Sequence, residues 1–129
     1  MISLSKRIVF TERAPKPVGP FSQAVISGDF VFISGQIPIN PKTSKIAKGG
    51  IDMQTVQVLE NIKNILESIE LSLGDIVKTS VFLSNLENFQ AFNSIYSKYF
   101  EKKPPARTTV QANLLAGVLV EIDIIAKMP

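Results

Sequence analysis

The runs Phe30 to Gln36 and Ile76 to Leu83 are apolar on both alternations: Val31 and Ile33 as well as Phe30 and Phe32, Val77 and Val81 as well as Ile76 and Phe82. Successive side chains of a strand point to opposite faces of its sheet, so strands of this kind need both faces covered. A chain of 129 residues has the size of one domain with one hydrophobic core, here residues 1–129. If its helices all lie on one face, nothing of the chain is left for the other. Self-association is then the expected solution, and closed symmetric assemblies are its usual form.

The remaining elements follow from periodicity and turn chemistry. Arg7 to Phe10 predicts a short strand, ended by the proline-bearing stretch Thr11 to Pro20. Phe21 to Ser27 and Phe30 to Gln36 are separated only by Gly28-Asp29, which predicts a tight hairpin. Pro38 to Gly50 reads as a loop. Ile51 to Leu73 carries Val56, Leu59, Ile62, Leu66 and Ile69 at helical spacing, with Gly74 placed to end the helix. Ile76 to Leu83 is a strand. Ser84-Asn85-Leu86-Glu87 has the Ser-x-x-Glu form of a capping box and opens a second helix whose Phe89, Phe92, Tyr96 and Tyr99 share a face. That helix is expected to end near Lys102-Lys103, before Pro104. Strands at 107–111 and 118–125 complete an α+β domain with two helices on one face of a mixed sheet.

Missing residue types restrict the chemistry. With no Cys and no His, there is no thiolate nucleophile, no Ser-His dyad and no two-His metal site. Any general acid or base is Asp, Glu, Lys, Tyr or water. The net charge is +3, but Lys42, Lys45, Lys48, Lys63, Lys78 and Lys98 are scattered, and only Lys102-Lys103 are adjacent. Nothing in that distribution supports nucleic-acid binding. Met1 to Phe10 holds no apolar segment of signal-peptide length and no run approaches a membrane span, so a cytoplasmic protein is expected.

The candidate chemistry sits near the end of the chain, in Pro104-Pro105-Ala106-Arg107-Thr108-Thr109-Val110 and in Val118 to Ile125. Strand alternation puts Arg107, Thr109 and Gln111 on one face of the first run. It puts Leu119, Glu121, Asp123 and Ile125 together on one face of the second. A guanidinium is a planar fork that holds a carboxylate bidentately, so Arg107 suits an acid substrate. Two structural alternatives exist: an ion pair between Arg107 and Glu121, or one between Arg107 and Asp123.

Several blocks in order resemble the RidA/YjgF/UK114 family of reactive-intermediate deaminases: 19–24 (GPFSQA), 33–38 (ISGQIP), Asn61-Ile62, 74–78 (GDIVK), Phe92-Asn93 with Tyr96, Pro105-Ala106-Arg107 and Val120-Glu121-Ile122. The resemblance implies a homotrimer of chorismate-mutase-like subunits with three inter-subunit clefts. It also implies hydrolysis of 2-imino and 2-enamino acids to 2-keto acids and ammonia, with no cofactor and no metal. Carried over by position, Arg107 binds the substrate carboxylate and Glu121 orients or activates water. Ser34 and Gly35 offer hydrogen bonds, Asn93 lines the cleft, and Phe21 and Thr109 form its wall. Phe21 stands where the family more often has tyrosine, and Thr109 where many members have cysteine. Two other functions are compatible with the family: RNA cleavage with inhibition of translation, and a non-catalytic small-acid sensor or chaperone-like trimer.

Overall fold

The computed structural model describes residues 6–129; the first five residues, part of the Met1 to Phe10 stretch read for a leader, lie outside it. Six strands form one mixed sheet: β1 (Arg7–Val9), β2 (Ala24–Ser27), β3 (Phe30–Gln36), β6 (Ile76–Leu83), β7 (Ala106–Gln111) and β8 (Val120–Lys127). Their spatial order is β1-β2-β3-β8-β6-β7, with β6 and β7 parallel and every other pair antiparallel. Two further strands, β4 (Ile39–Asn40) and β5 (Lys45–Ile46), pair only with each other. The helices α1 (Ile51–Glu67) and α2 (Phe89–Tyr99) pack together against one face of the six-stranded sheet. This is the α+β arrangement expected. Among the described residues no helix is long and apolar enough to cross a membrane.

The core lies between that face and the helices. Val31 and Ile33 of β3, Ile122 and Ile124 of β8, and Val81 and Leu83 of β6 meet Leu59, Ile62 and Leu66 of α1 and Phe92 of α2. Phe92 is fully buried, a placement that contributes roughly 1.5–3 kcal/mol for a side chain of its size. The opposite face carries Phe30, Phe32 and Val110, each about two-fifths exposed, and none of the described elements covers it. Part of the double apolar pattern has a local origin. One extra residue at Val77 shifts the β6–β8 register, so Ile76 and Val81 both reach the core despite opposite parity.

Several boundaries differ from expectation. The strand predicted over Phe21 to Ser27 begins only at Ala24, because Gln23 turns inward to bind backbone. The predicted loop Pro38 to Gly50 holds the β4–β5 ladder, closed by Ser44 at φ 61°. Helix α1 ends at Glu67, where Glu70 at φ 62° reverses the chain and the Leu71 N–H returns to the Leu66 carbonyl at 2.9 Å. Gly74 lies beyond, in a 3-10 turn (Leu73–Asp75). The buried stripe of α1 runs through Thr55, Val58, Leu59, Ile62, Ile65 and Leu66, while Val56 and Ile69 are only partly buried.

The capping box expected at Ser84 and Glu87 does not form. The Asn85 side chain accepts from the Glu87 N–H at 2.9 Å and caps a 3-10 turn (Leu86–Asn88) ahead of α2. A capping box stands instead at Ser72 and Asp75. Helix α2 stops at Tyr99, short of Lys102-Lys103, with Lys103 at φ 48°. The strand predicted over 118–125 runs from Val120 to Lys127. Val118 belongs to the preceding turn, its N–H bonded to the Leu115 carbonyl at 2.9 Å.

Candidate functional site

The register of β6 decides where each candidate side chain points. Thr79 and Val81 face the helices and stand opposite Arg107 and Thr109 of β7; Ser80 and Phe82 face the other way, opposite Asp123 and Glu121 of β8. Arg107 and Glu121 of one chain therefore lie on opposite faces of the sheet. Neither ion pair considered for Arg107 forms, with Glu121 or with Asp123. Among the described residues the one salt bridge is Arg13–Glu67 at 3.6 Å, on the surface. The candidate residues accordingly divide into two groups.

The first group lines a cleft of about 880 Å³ that includes Glu121, Gly35, Phe21 and Leu115. Between Ile33 and Gln36 the β3–β8 pairing gains one residue, a bulge that lifts Ser34 and Gly35 out of the ladder beside Glu121. A side chain at position 35 would meet the Glu121 carboxylate and push it aside; glycine leaves that carboxylate its present position, a matter of space rather than of backbone angle. Glu121 is half-buried. Desolvation, and then the charge of Asp123 on the same face, push its pKa above the ordinary glutamate value. The Ser34 hydroxyl donates to the Ser22 carbonyl at 2.6 Å, and the Ser34 N–H donates to the Gln23 carbonyl at 2.9 Å. Ser34 thus ties the Phe21 segment to β3. Phe21 itself is 52% exposed, a cleft wall rather than a core ring.

Three buried carboxamides brace the irregular segments around this cleft. The Gln23 amide donates to the carbonyls of Thr11 at 2.9 Å, Pro15 at 3.0 Å and Ala14 at 3.3 Å, and its oxygen accepts from the Thr11 N–H at 2.7 Å. Gln54 donates to the Gly117 carbonyl at 2.9 Å and accepts from the Leu119 N–H at 2.7 Å. Asn61 donates to the Ile39 carbonyl at 2.9 Å and accepts from Gln57 at 2.9 Å. A segment without its own ladder needs such partners for its backbone groups. Sequence reasoning assigned no role to these three. The legible signal was amide side chains at positions 54 and 61 on the apolar side of α1.

The second group surrounds Arg107. Its guanidinium carbon lies 4.8 Å from the Tyr96 ring centroid, 5.5 Å from that of Phe92 and 5.7 Å from that of Phe89, within cation–π range. The Tyr96 hydroxyl shares a 2.8 Å hydrogen bond with Thr79. Burial raises the Tyr96 pKa against the lowering effects of that bond and of Arg107. The aromatic stripe read from α2 is therefore both core and a platform for the arginine. Tyr99 departs from it to donate to Glu60 at 2.9 Å, and burial with that contact pushes its pKa up to about 12. Asn93 Oδ1 and Thr109 Oγ1 are buried and make no hydrogen bond with any of the described residues. A platformed cation beside two unpartnered polar groups can receive an anionic, hydrogen-bonding ligand.

Residues 11–128 match the family described as Endoribonuclease L-PSP. The chain belongs to the RidA/YjgF family. This Rid-family chain is 50% identical over 123 residues to a RutC family protein of Saccharolobus solfataricus, covering 95% of this chain and 98% of that protein. It is 39% identical over 127 residues to the chloroplastic Reactive Intermediate Deaminase A of Arabidopsis thaliana, covering 98% of this chain and 68% of that one. Among solved structures, E. coli TdcF with bound serine matches at a TM-score of 0.90 and 38% identity, covering 95% of this chain and 99% of that chain. No metal-binding group of His, Cys, Asp or Glu occurs among the described residues of the Rid-family chain.

Proposed function

We propose that this chain hydrolyses 2-imino and 2-enamino acids, such as 2-iminobutanoate and 2-iminopropanoate, to 2-keto acids and ammonia. The site is completed between copies: Glu121 of one chain and Arg107 of the next meet in each cleft of a homotrimer of chorismate-mutase-like subunits. The observation that carries this reading is the placement of Arg107 and Glu121 on opposite faces of one sheet. A neighbour's helix-side edge, laid on the uncovered face with Phe30, Phe32 and Val110, is what would bring the two together. The deaminase relative and the structure with bound serine support an amino-acid-like ligand.

In this reading the substrate carboxylate lies on the Arg107 fork, and the Thr109 hydroxyl donates a further hydrogen bond. Water attacks C2 of the iminium and gives a proton to Glu121 as the C–O bond forms, while the C=N pair moves to nitrogen. Protonated Glu121 returns that proton to the amine of the resulting carbinolamine. The C–N bond then breaks, its electron pair leaving with ammonia, and the hydroxyl proton passes through Glu121 to that ammonia as the C=O bond forms. The raised proton affinity of Glu121 suits a group that accepts and donates in turn near neutral pH. Ser34, its hydroxyl committed to Ser22, acts through position; Gly35 gives Glu121 room; Asn93 closes the arginine side.

The test is acceleration of ammonia and keto-acid release from 2-iminobutanoate generated by a coupled dehydratase. Arg107→Ala should abolish it, and Arg107→Lys should restore little, because an ammonium cannot reproduce the fork. Full turnover by Arg107→Ala would remove the residue from the mechanism. A ribonuclease assay on the same preparations checks the activity in the family's description; cleavage unchanged in Arg107→Ala would come from another site.

A further inference from the structure

The cleft around Glu121 is more apolar along its walls than a four-carbon acid requires. Its volume on one chain, about 880 Å³, lies within the range of about 300–1,000 Å³ that accommodates drug-sized ligands, and in the assembly proposed above part of it is taken by the neighbour's Arg107 edge that completes the site. Phe10, Val18, Phe21 and Leu115 all line it and are 51%, 92%, 52% and 69% exposed. Single exposed apolar side chains are ordinary, but four converging on one concave surface beside a carboxylate form a binding surface. The walls are also pre-set. Gln23 anchors Thr11 to Pro15 ahead of Pro17 and Val18, and Gln54 anchors the chain at Gly117, within the turn that carries Leu115. A prearranged apolar wall adds affinity because little is lost in ordering it.

We infer that this cleft selects 2-imino acids with bulky apolar side chains, branched aliphatic or aromatic, over those bearing methyl or ethyl. The inference rests on the deaminase reading above and names the substrate class for it. With the reacting carbon held beside Glu121, the substituent on C3 has the apolar walls to cover. The charged lining residues Glu12, Lys16 and Lys42 are exposed and remain hydrated beside an apolar substituent. They offer the one competing recognition, of a second carboxylate by the two lysines.

The experiment compares kcat/KM for imines generated in place by amino-acid oxidases from alanine, 2-aminobutyrate, leucine, phenylalanine and glutamate. Each fully buried methylene is worth about fourfold. The leucine-derived imine should therefore exceed the alanine-derived one by about sevenfold if half of its three added carbons is buried, and by about fiftyfold if all are. In Val18→Ser with Leu115→Ser, at positions too exposed to support the core, that ratio should fall below about threefold with the native mass unchanged. Equal rates for all imines, preference for the alanine- or glutamate-derived one, or a ratio unmoved in the double variant would overturn the inference. So would dissociation of the variant, which would make these side chains a subunit contact. If no imine is accelerated, the deaminase reading fails, and thermal shifts decide the cleft alone. A larger shift with 4-methyl-2-oxopentanoate than with pyruvate supports the selectivity, and equal shifts refute it.

Discussion

Because Arg107 and Glu121 of one chain face opposite sides of its sheet, inactivating substitutions at the two positions should complement each other between copies. Arg107→Ala removes the charged partner proposed for the substrate carboxylate, a loss worth roughly 3–5 kcal/mol in a buried pair, or two to three powers of ten in rate and more. Glu121→Gln keeps the shape and removes the proton acceptor. Each homogeneous variant should sit near the uncatalysed rate. When the two are unfolded together in equal amounts and refolded, an intact site needs its arginine from one kind of subunit and its glutamate from the other. Random assembly meets that condition at about one site in four, so the mixture should recover about a quarter of wild-type turnover. The assay is ammonia release from 2-iminobutanoate, before and after co-refolding. Mixing Arg107→Ala with the doubly substituted chain supplies the control, since no intact site can form. A mixture that stays at the floor while retaining its assembled mass would refute a site shared between copies.

Three further outcomes follow from particular contacts. In the proposed mechanism the acid limb of kcat/KM reports protonation of Glu121, which desolvation and Asp123 hold above the ordinary carboxylate value; Asp123→Asn removes one raising cause, so activity should persist to lower pH, and a limb that stays or moves upward contradicts the coupling. Gly35→Ala forces the Glu121 carboxylate aside, and a displacement of this kind costs about a hundredfold in rate; turnover should drop at unchanged native mass, whereas wild-type rates would show that Glu121 adapts. Gln54→Leu strands the Gly117 carbonyl and the Leu119 N–H, at about 1–3 kcal/mol each. A thermal midpoint lower by roughly 10 °C is expected, and an unshifted melt would mean that the turn finds other partners.

Much of the scaffold was legible because it depends on short-range periodicity. β3 and β6 begin and end where their apolar runs do, and the Gly28-Asp29 turn carries its positive φ at Gly28. Element ends were less legible where several residues compete for one role. Asn85 rather than Ser84 caps the turn before α2, and Glu70 rather than Gly74 reverses the chain after α1. The bulges at Val77 and at Ser34-Gly35 were invisible, since an inserted residue looks like any other until its partner strand is known. For the same reason no bracing role was legible for Gln23, Gln54 or Asn61, although Gln23 and Asn61 stand in blocks that carry the family resemblance. The backbone partners of these three are 8–12, 63–65 and 22–24 residues away.

From the residues alone came the α+β class, the absence of thiol and imidazole chemistry, and the choice of Arg107 with the carboxylates Glu121 and Asp123 as candidates; the preference for Glu121 came from the family resemblance. The first three depend on composition and on strand alternation, which are properties of a linear string. Whether Arg107 and Glu121 could meet depends on which strand lies beside which and in what register, and β6 settles it by setting Thr79 against Arg107 and Phe82 against Glu121. Alternation assigns a residue to one of two faces within its own strand; only the hydrogen-bonded neighbour says which face that is.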